Sequence, residues 1–302
     1  MSAKVVVVGS LNMDLVARAE RLPRAGETLA GESFCTVPGG KGANQAVAAA
    51  RLGASVAMIG NVGADAYGQQ LRQALEVEGI DCQAVSECPG VSSGVALITV
   101  DAASQNCIVI IPGGNGQLTP ASVQRFDALL QAAEVIICQL EVPADTVAWA
   151  LARGRELGKT VILNPAPATG PLPAQWFAHI DYLIPNESEA EALAGKPVND
   201  LASARRAGER LLQLGAGKVI VTLGAQGAVF VSRDGSRHFP APQVKALDTT
   251  AAGDTFVGGF AAALVRGLEE SEAITFGQRA AALSVTRAGA QPSIPTLAEL
   301  AP

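Results

Sequence analysis

Short apolar runs alternate along this chain with stretches whose apolar residues recur every three to four positions. The runs at 4–8, 56–59, 135–138, 160–163, 182–184 and 219–222 are rich in Val and Ile. Several are unbroken rather than alternating, the pattern of strands buried on both faces of a parallel sheet. Between them, helical spacing predicts helices over 67–78, 120–132, 144–157, 202–214 and 253–267. This alternation predicts an α/β fold: a doubly wound, mainly parallel sheet flanked by helices. Ligands of such folds sit beyond the carboxyl ends of the strands. That places Asn12 and Asp14, just after the first strand, at a candidate binding edge.

Two stretches break the rhythm. Residues 15–37 and 91–111 carry strand-like pieces with turn signals and no helical spacing. Within the second, 95–100 and 107–111, joined across 101–106, read as a hairpin. From the residues alone these are two long surface excursions, and 302 residues suit one large domain or two smaller ones.

Composition narrows the partners. A net charge of -6 with no basic run argues against nucleic acid or an anionic membrane as the main partner. The amino terminus runs straight into Val5-Val6-Val7-Val8, too short and weakly flanked for a signal peptide. The apolar stretch 256–265 is too short to span a bilayer. Five cysteines (Cys35, Cys82, Cys88, Cys107 and Cys138) are scattered without metal-ligand spacing, as expected of reduced thiols in the cytoplasm. The two histidines, His179 and His238, lie far apart and read as structural or surface residues.

Two segments carry candidate chemistry. In Asp248-Thr249-Thr250-Ala251-Ala252-Gly253-Asp254-Thr255-Phe256, small residues crowd the start of a helix with an aspartate in its first turn. The first N–H groups of a helix lack intrahelical partners and carry the positive end of its dipole, so an anion can approach closely. An acid beside an anion hole makes sense if it takes a proton from an attacking hydroxyl; otherwise it only stabilises its own helix. The second segment is Gly39-Gly40-Lys41-Gly42-Ala43-Asn44-Gln45-Ala46, a glycine cluster entering a helix. It lacks the spacing of a Walker A loop.

Taken together, these segments resemble the paired signatures of the ribokinase-like sugar and nucleoside kinases. Gly39, Gly40, Gly42, Asn44, Ala46, Gly53 and Gly63 fit the first signature, and residues 248–261 fit the second without a gap. The resemblance extends over 5–295 and implies a single domain, 1–302, with 15–38 and 91–112 pairing into a small β-sheet lid. It implies ATP-dependent phosphorylation of D-ribose at its 5-hydroxyl, with deoxyribose, fructose or a nucleoside as alternative acceptors. A catalytically silent sugar-binding regulator on the same fold is the alternative of another class; a complete Asp254 segment counts against it. By resemblance Asp254 is the base, and the amides of Ala252 and Gly253 hold the charge of the transferring group. Ala251 stands where many fructokinase-like relatives carry glycine. Asn12, Asp14, Gly40, Lys41, Asn44 and Glu141 would hold the sugar. Asn186, Thr222, Gly224, Gly227, Gly253 and Gln278 would serve the nucleotide, and Glu189 would reach magnesium through water. Asp248, Thr250, Ser284, Arg287, Gly289 and Ser293 would form a site for a monovalent cation, potassium, largely from backbone oxygens. The resemblance also implies a homodimer formed through the lid.

Overall fold

The computed structural model describes residues 3–103, 105–168 and 170–300. Its chain begins with strands β1 (Val5–Val8), β2 (Asn12–Arg18) and β3 (Ser33–Gly39), then helix α1 (Lys41–Arg51), β4 (Val56–Gly63) and α2 (Ala66–Val77). Strands β5 (Asp81–Cys88), β6 (Gly94–Val100) and β7 (Asn106–Ile111) follow, then α3 (Pro120–Gln124), α4 (Asp127–Ala132), β8 (Val135–Cys138), α5 (Ala144–Glu156) and β9 (Thr160–Leu163). The remainder is β10 (Tyr182–Leu183), α6 (Glu187–Ala194), α7 (Leu201–Gln213), β11 (Lys218–Thr222), β12 (Ala228–Ser232), β13 (Gly235–Phe239), α8 (Ala252–Val265) and α9 (Glu270–Ser284).

Nine strands form the main sheet in the order β13-β12-β11-β10-β9-β8-β1-β4-β5, parallel from β11 through β5 and antiparallel at the β12–β13 edge. The Val run of β1 sits at the centre because β-branched side chains on both faces suit a strand covered by helices on each side. Val5 and Val7 join one buried cluster with residues of α1, α8 and α9, while Val6 and Val8 join another with α5 and α7. The chain winds from β1 towards β4 and β5, then returns to β8 and continues the other way. The crevice of this reversal lies at the carboxyl ends of β1 and β8, where such folds bind ligands.

Four further strands form a separate sheet in the order β3-β2-β6-β7. It begins at Asn12 and ends one strand at Gly39, so it reaches deeper into the crevice than the expected limits of 15 and 38. Residue 104, in the connection between β6 and β7, and the termini of the expected 1–302 domain lie outside the described residues. The helix expected over 120–132 is two helices. Phe126 (ψ 25°) leaves helical geometry and restarts the chain as α4, with no Pro or Gly to mark the break. Among the described residues no helix is long and apolar enough to cross a membrane.

Candidate active site

Close helix packing brings the two glycine-rich segments together. A Cβ on Gly258 of α8 would lie 2.5 Å from the Ala48 Cβ and 2.6 Å from the Gln45 carbonyl, so only glycine lets α8 settle this close to α1. Asp254, on the third residue of α8, thereby meets the first turns of α1. Its Oδ2 accepts from Asn44 Nδ2 at 3.0 Å and its Oδ1 from Gln45 Nε2 at 2.9 Å. Asp254 is 7% exposed.

The mouth of α8 is built for an anion. Ala251 precedes the helix with φ 59°, the sole positive φ among the described non-glycine residues, and no side chain caps the first turn. A left-handed alanine is strained, and it turns the helix start towards the crevice. Ala252 N–H donates to the Thr249 carbonyl at 3.2 Å. Gly253 and Asp254 N–H have no acceptor among the described residues, so the free amides sit one position later than expected. A Cβ built on Gly253 would meet nothing within 4 Å. That open side faces a cleft of about 180 Å³ lined by Lys41, Asn164, Asn186, Glu189, Thr222, Thr249 and Asp254 among others.

The sugar-side candidates gather at the ends of β1 and β8. Gly40, at φ 90°, starts α1; a Cβ there would lie 2.7 Å from the Asn12 nitrogen. Gly40 offers α1 no side-chain cap, and Glu141 fills that role from across the crevice: its Oε2 accepts from Lys41 N–H at 3.0 Å and from Ser10 Oγ at 2.6 Å. Asn12 is buried, its Oδ1 accepting from Asn115 Nδ2 at 2.7 Å. Asn115 is itself clamped to both backbone groups of Leu11, 2.9 Å from the nitrogen and 3.0 Å from the carbonyl. Its amide orientation is therefore fixed, and Asn12 must aim its own NH2 away from it. The buried Oδ1 of Asn44 has no hydrogen-bond partner among the described residues, which leaves it able to accept from a donor.

Charge is concentrated here. Burial, then the nearby Glu141 and Asp254 carboxylates, push the Asp14 carboxyl from 3.8 up to about 7, against the pull of Lys41. Burial alone would lower the Lys41 ammonium; the carboxylates of Asp254, Glu141, Glu189 and Asp14 outweigh it and raise it above its ordinary value. For Asp14 the sign is that of an acid favoured neutral in the folded chain. Its contribution is favourable below about 4 and is lost as pH rises through about 7. Asp14→Asn is therefore expected to gain stability over wild type between pH 4 and pH 8 without sugar, by at most about 4 kcal/mol at 1.36 kcal/mol per unit. Denaturant unfolding of both proteins across that range checks it; a constant difference would refute the charged-cluster account.

The nucleotide-side candidates divide. Asn186 and Glu189 form a reciprocal cap on α6: Asn186 Oδ1 accepts from Glu189 N–H at 2.9 Å, and Glu189 accepts from Asn186 N–H at 2.9 Å and from its Nδ2 at 3.0 Å. Burial raises the Glu189 carboxyl above its ordinary value, opposed by the Asn186 bond and Lys41. Thr222, at the end of β11, bridges to Asn186 and shares the cleft. Gly224 (φ 50°) and Gly227 (φ 95°) shape the turn that follows but do not line the cleft. Gln278 also lies outside its lining, donating to the Phe239 carbonyl at 2.7 Å.

At the cation-site candidates, Asp248 Oδ1 accepts from Thr250 N–H at 2.9 Å and from its hydroxyl at 2.6 Å, and Oδ2 from Gly289 N–H at 2.8 Å. Burial alone would raise this carboxyl; these bonds win and hold it below its ordinary value. The segments carrying Asp248 and Gly289 are further joined by Leu247 N–H on the Val285 carbonyl. The hydroxyls of Ser284 and Ser293 are turned to the carbonyls of Ala281 and Ala290, and the Arg287 guanidinium to Glu299. Both serine hydroxyls spend their hydrogen there, and the Ser284 carbonyl accepts from Arg287 N–H at 3.0 Å.

Ser10, Gln45, Asn115, Gln139 and Asn164 were absent from the sequence-derived site. Gln139 and Asn164 did carry a signal, being polar residues directly after buried strands, whereas Asn115 lies in a short turn with none.

A buried acid at an uncapped helix start, in the crevice of a doubly wound sheet, defines the class. The chain belongs to the pfkB family of carbohydrate kinases, whose model matches residues 2–297. It is 44% identical over 300 residues to the ribokinase of Haemophilus influenzae, covering 99% of this chain and 97% of that one. It is also 41% identical over 293 residues to the deoxyribokinase of Salmonella typhi, with 97% and 96% covered. The structure of Arabidopsis thaliana ribokinase complexed with ribose and ATP matches with a TM-score of 0.92 at 32% identity, covering 99% of this chain and 97% of that one.

Proposed function

We propose that the chain transfers the γ-phosphoryl group of ATP to the 5-hydroxyl of D-ribose, with Asp254 as the base. The observation that carries this is the placement of Asp254, held at both oxygens beside the open side of Gly253. Phosphoryl transfer asks a protein for alignment and charge stabilisation more than covalent chemistry. Asp254 takes the proton of the attacking hydroxyl. The free amides of Gly253 and Asp254 face the transferring group, with Lys41 on the same cleft adding positive charge. Asn12, Asp14, Gly40, Lys41, Asn44 and Glu141 orient the sugar, and Asn186, Thr222, Gly224, Gly227, Gly253 and Gln278 shape the nucleotide side. Magnesium would be held through water by Glu189 and would supply charge neutralisation at the nucleotide phosphates. Both Glu189 oxygens already accept from Asn186, which suits contact through water.

Likeness to ribokinases and to a deoxyribokinase makes 2-deoxyribose the second reading. Asn12 favours ribose: its oxygen is taken by Asn115, which leaves its NH2 to donate to an acceptor such as a sugar hydroxyl. ATP consumption with ribose, 2-deoxyribose, fructose and adenosine decides between them. A preference for deoxyribose would overturn the ribose assignment.

The second sheet serves as lid, excluding water that competes as acceptor. Phe34, Leu97, Ile108, Val109 and Ile110 are exposed on it, a surface suited to a second copy of the chain in a homodimer. Five free thiols suit a cytoplasmic placement. Potassium is the proposed ion at Asp248. The Thr250 and Gly289 donors offset part of its charge; an ion held with surrounding carbonyls would offset the rest. Activity is expected to be higher in potassium than in a bulky organic cation at equal ionic strength, and Asp248→Ala should blunt the difference. Equal turnover in both salts at matched magnesium refutes the site.

A further inference from the structure

Behind Asp254 lies a row of side-chain amides, Gln45, Asn164 and Gln139, of which only Asn164 reaches the cleft lining. Gln45 Nε2 donates both to Asp254 Oδ1 at 2.9 Å and to Asn164 Oδ1 at 3.0 Å. Gln45 Oε1 accepts from Gln139 Nε2 at 2.6 Å, and Asn164 Nδ2 donates to the Ile184 carbonyl at 2.9 Å. Gln45 and Gln139 are fully buried and Asn164 is 8% exposed. The three come from α1 and from the residues directly after β8 and β9.

The orientations in this row follow from Ile184 and Asp254, whereas Gln139 Oε1, at the far end, has no partner among the described residues. The Ile184 carbonyl can only accept, so Asn164 must turn its NH2 there and its oxygen to Gln45. Gln45 then presents its NH2 to Asn164 and Asp254 and its oxygen to Gln139. A flipped Gln45 would set oxygen against two acceptors in a buried site, leaving groups unpaired at a cost of about 1–3 kcal/mol each. Gly9 leaves room at the far end: a Cβ there would overlap the Gln139 oxygen.

We infer that Gln45, clamped by Gln139 and Asn164, is the positioning residue that fixes the Asp254 carboxylate for proton abstraction from the sugar hydroxyl. This rests on Asp254 as base. With Oδ1 held by Gln45 and Oδ2 by Asn44, the carboxylate cannot rotate about its terminal torsion without losing both bonds. The lone pair aimed at the sugar is thus set before the sugar arrives, and a base held in place acts with less reorganisation. Gln45 touches no substrate in this arrangement; it acts through Asp254 alone.

The test is Gln45→Met, which keeps length and packing but removes both amide functions. Its expected kcat loss is roughly 10–100-fold, the range of one hydrogen bond to a charged group, with KM for ribose and ATP within about threefold of wild type. In an Asp254→Asn background the same substitution is expected to add no further loss, because the residue it acts through is already gone. Gln139→Met, which frees the Gln45 oxygen but leaves Asp254 untouched, should give a smaller kcat loss with KM unchanged; it also serves if Gln45→Met fails to fold. Retained kcat in both variants, a rise in KM alone, or an equal loss in the Asp254→Asn background would overturn the positioning role. Near-normal turnover of Asp254→Asn by itself would instead remove the base, and this inference with it.

Discussion

Asp254→Asn is expected to lower kcat by roughly 10²–10⁴-fold, the usual contribution of a positioned general base. The swap preserves shape, so sugar and nucleotide binding should persist, measured by calorimetry on the purified variant. One of the two bonds at the carboxylate must change, because an amide nitrogen now faces either Asn44 Nδ2 or Gln45 Nε2. Both donors are held in the row described above or on the first turn of α1, so the variant is also expected to lose some thermal stability. Near-normal turnover would end the base assignment.

The second large effect belongs to Gly253. Beyond its chain neighbours and its own helix, nothing among the described residues lies within 4 Å of a Cβ placed there, so Gly253→Val should fold with stability close to wild type. On the proposed reading, that space is the one the transferring phosphoryl group would occupy. Turnover is expected to fall by roughly 10²–10³-fold, as when a charge-stabilising donor can no longer reach the group it serves. Sugar binding should be little changed, since Asn12, Asp14 and Asn44 lie on other elements. A variant that unfolds would show that the open side is structural; one that turns over normally would show that the phosphoryl group passes elsewhere.

Much of this architecture was legible in the sequence, for a physical reason. Strands buried on both faces need unbroken β-branched runs, and β1, β8, β9 and β11 carry them. Strands with a mixed environment do not announce themselves: β5 alternates polar residues along its length, and β13 is an exposed edge except at Phe239. The glycine cluster marked the start of α1 because close approach leaves no room for side chains, and a run of small residues marked the start of α8. The contacts that orient the acids were not legible. Asn115 reaches Asn12 from more than a hundred positions away, and Gln45 meets Gln139 and Asn164 only after α1 docks on the ends of β8 and β9. Nor could spacing show that Ala252 N–H turns back to Thr249, which moves the free amides along by one.

Strand β2 follows β1 after three residues, and its first residues are Asn12 and Asp14. The same strand is hydrogen-bonded between β3 and β6, at the middle of the small sheet. If Asn12 and Asp14 hold the sugar and the small sheet is a lid, as proposed, sugar recognition and lid position are one mechanical variable. Any tilt of that sheet moves the groups that grip the sugar, and any grip on the sugar resists the tilt. By linkage, anything seated on the outer face of the sheet that shifts the sheet would change sugar affinity by the same factor that sugar changes its own hold. Subunit contact and substrate would then read each other across a few peptide bonds, with no relay through the main body of the protein.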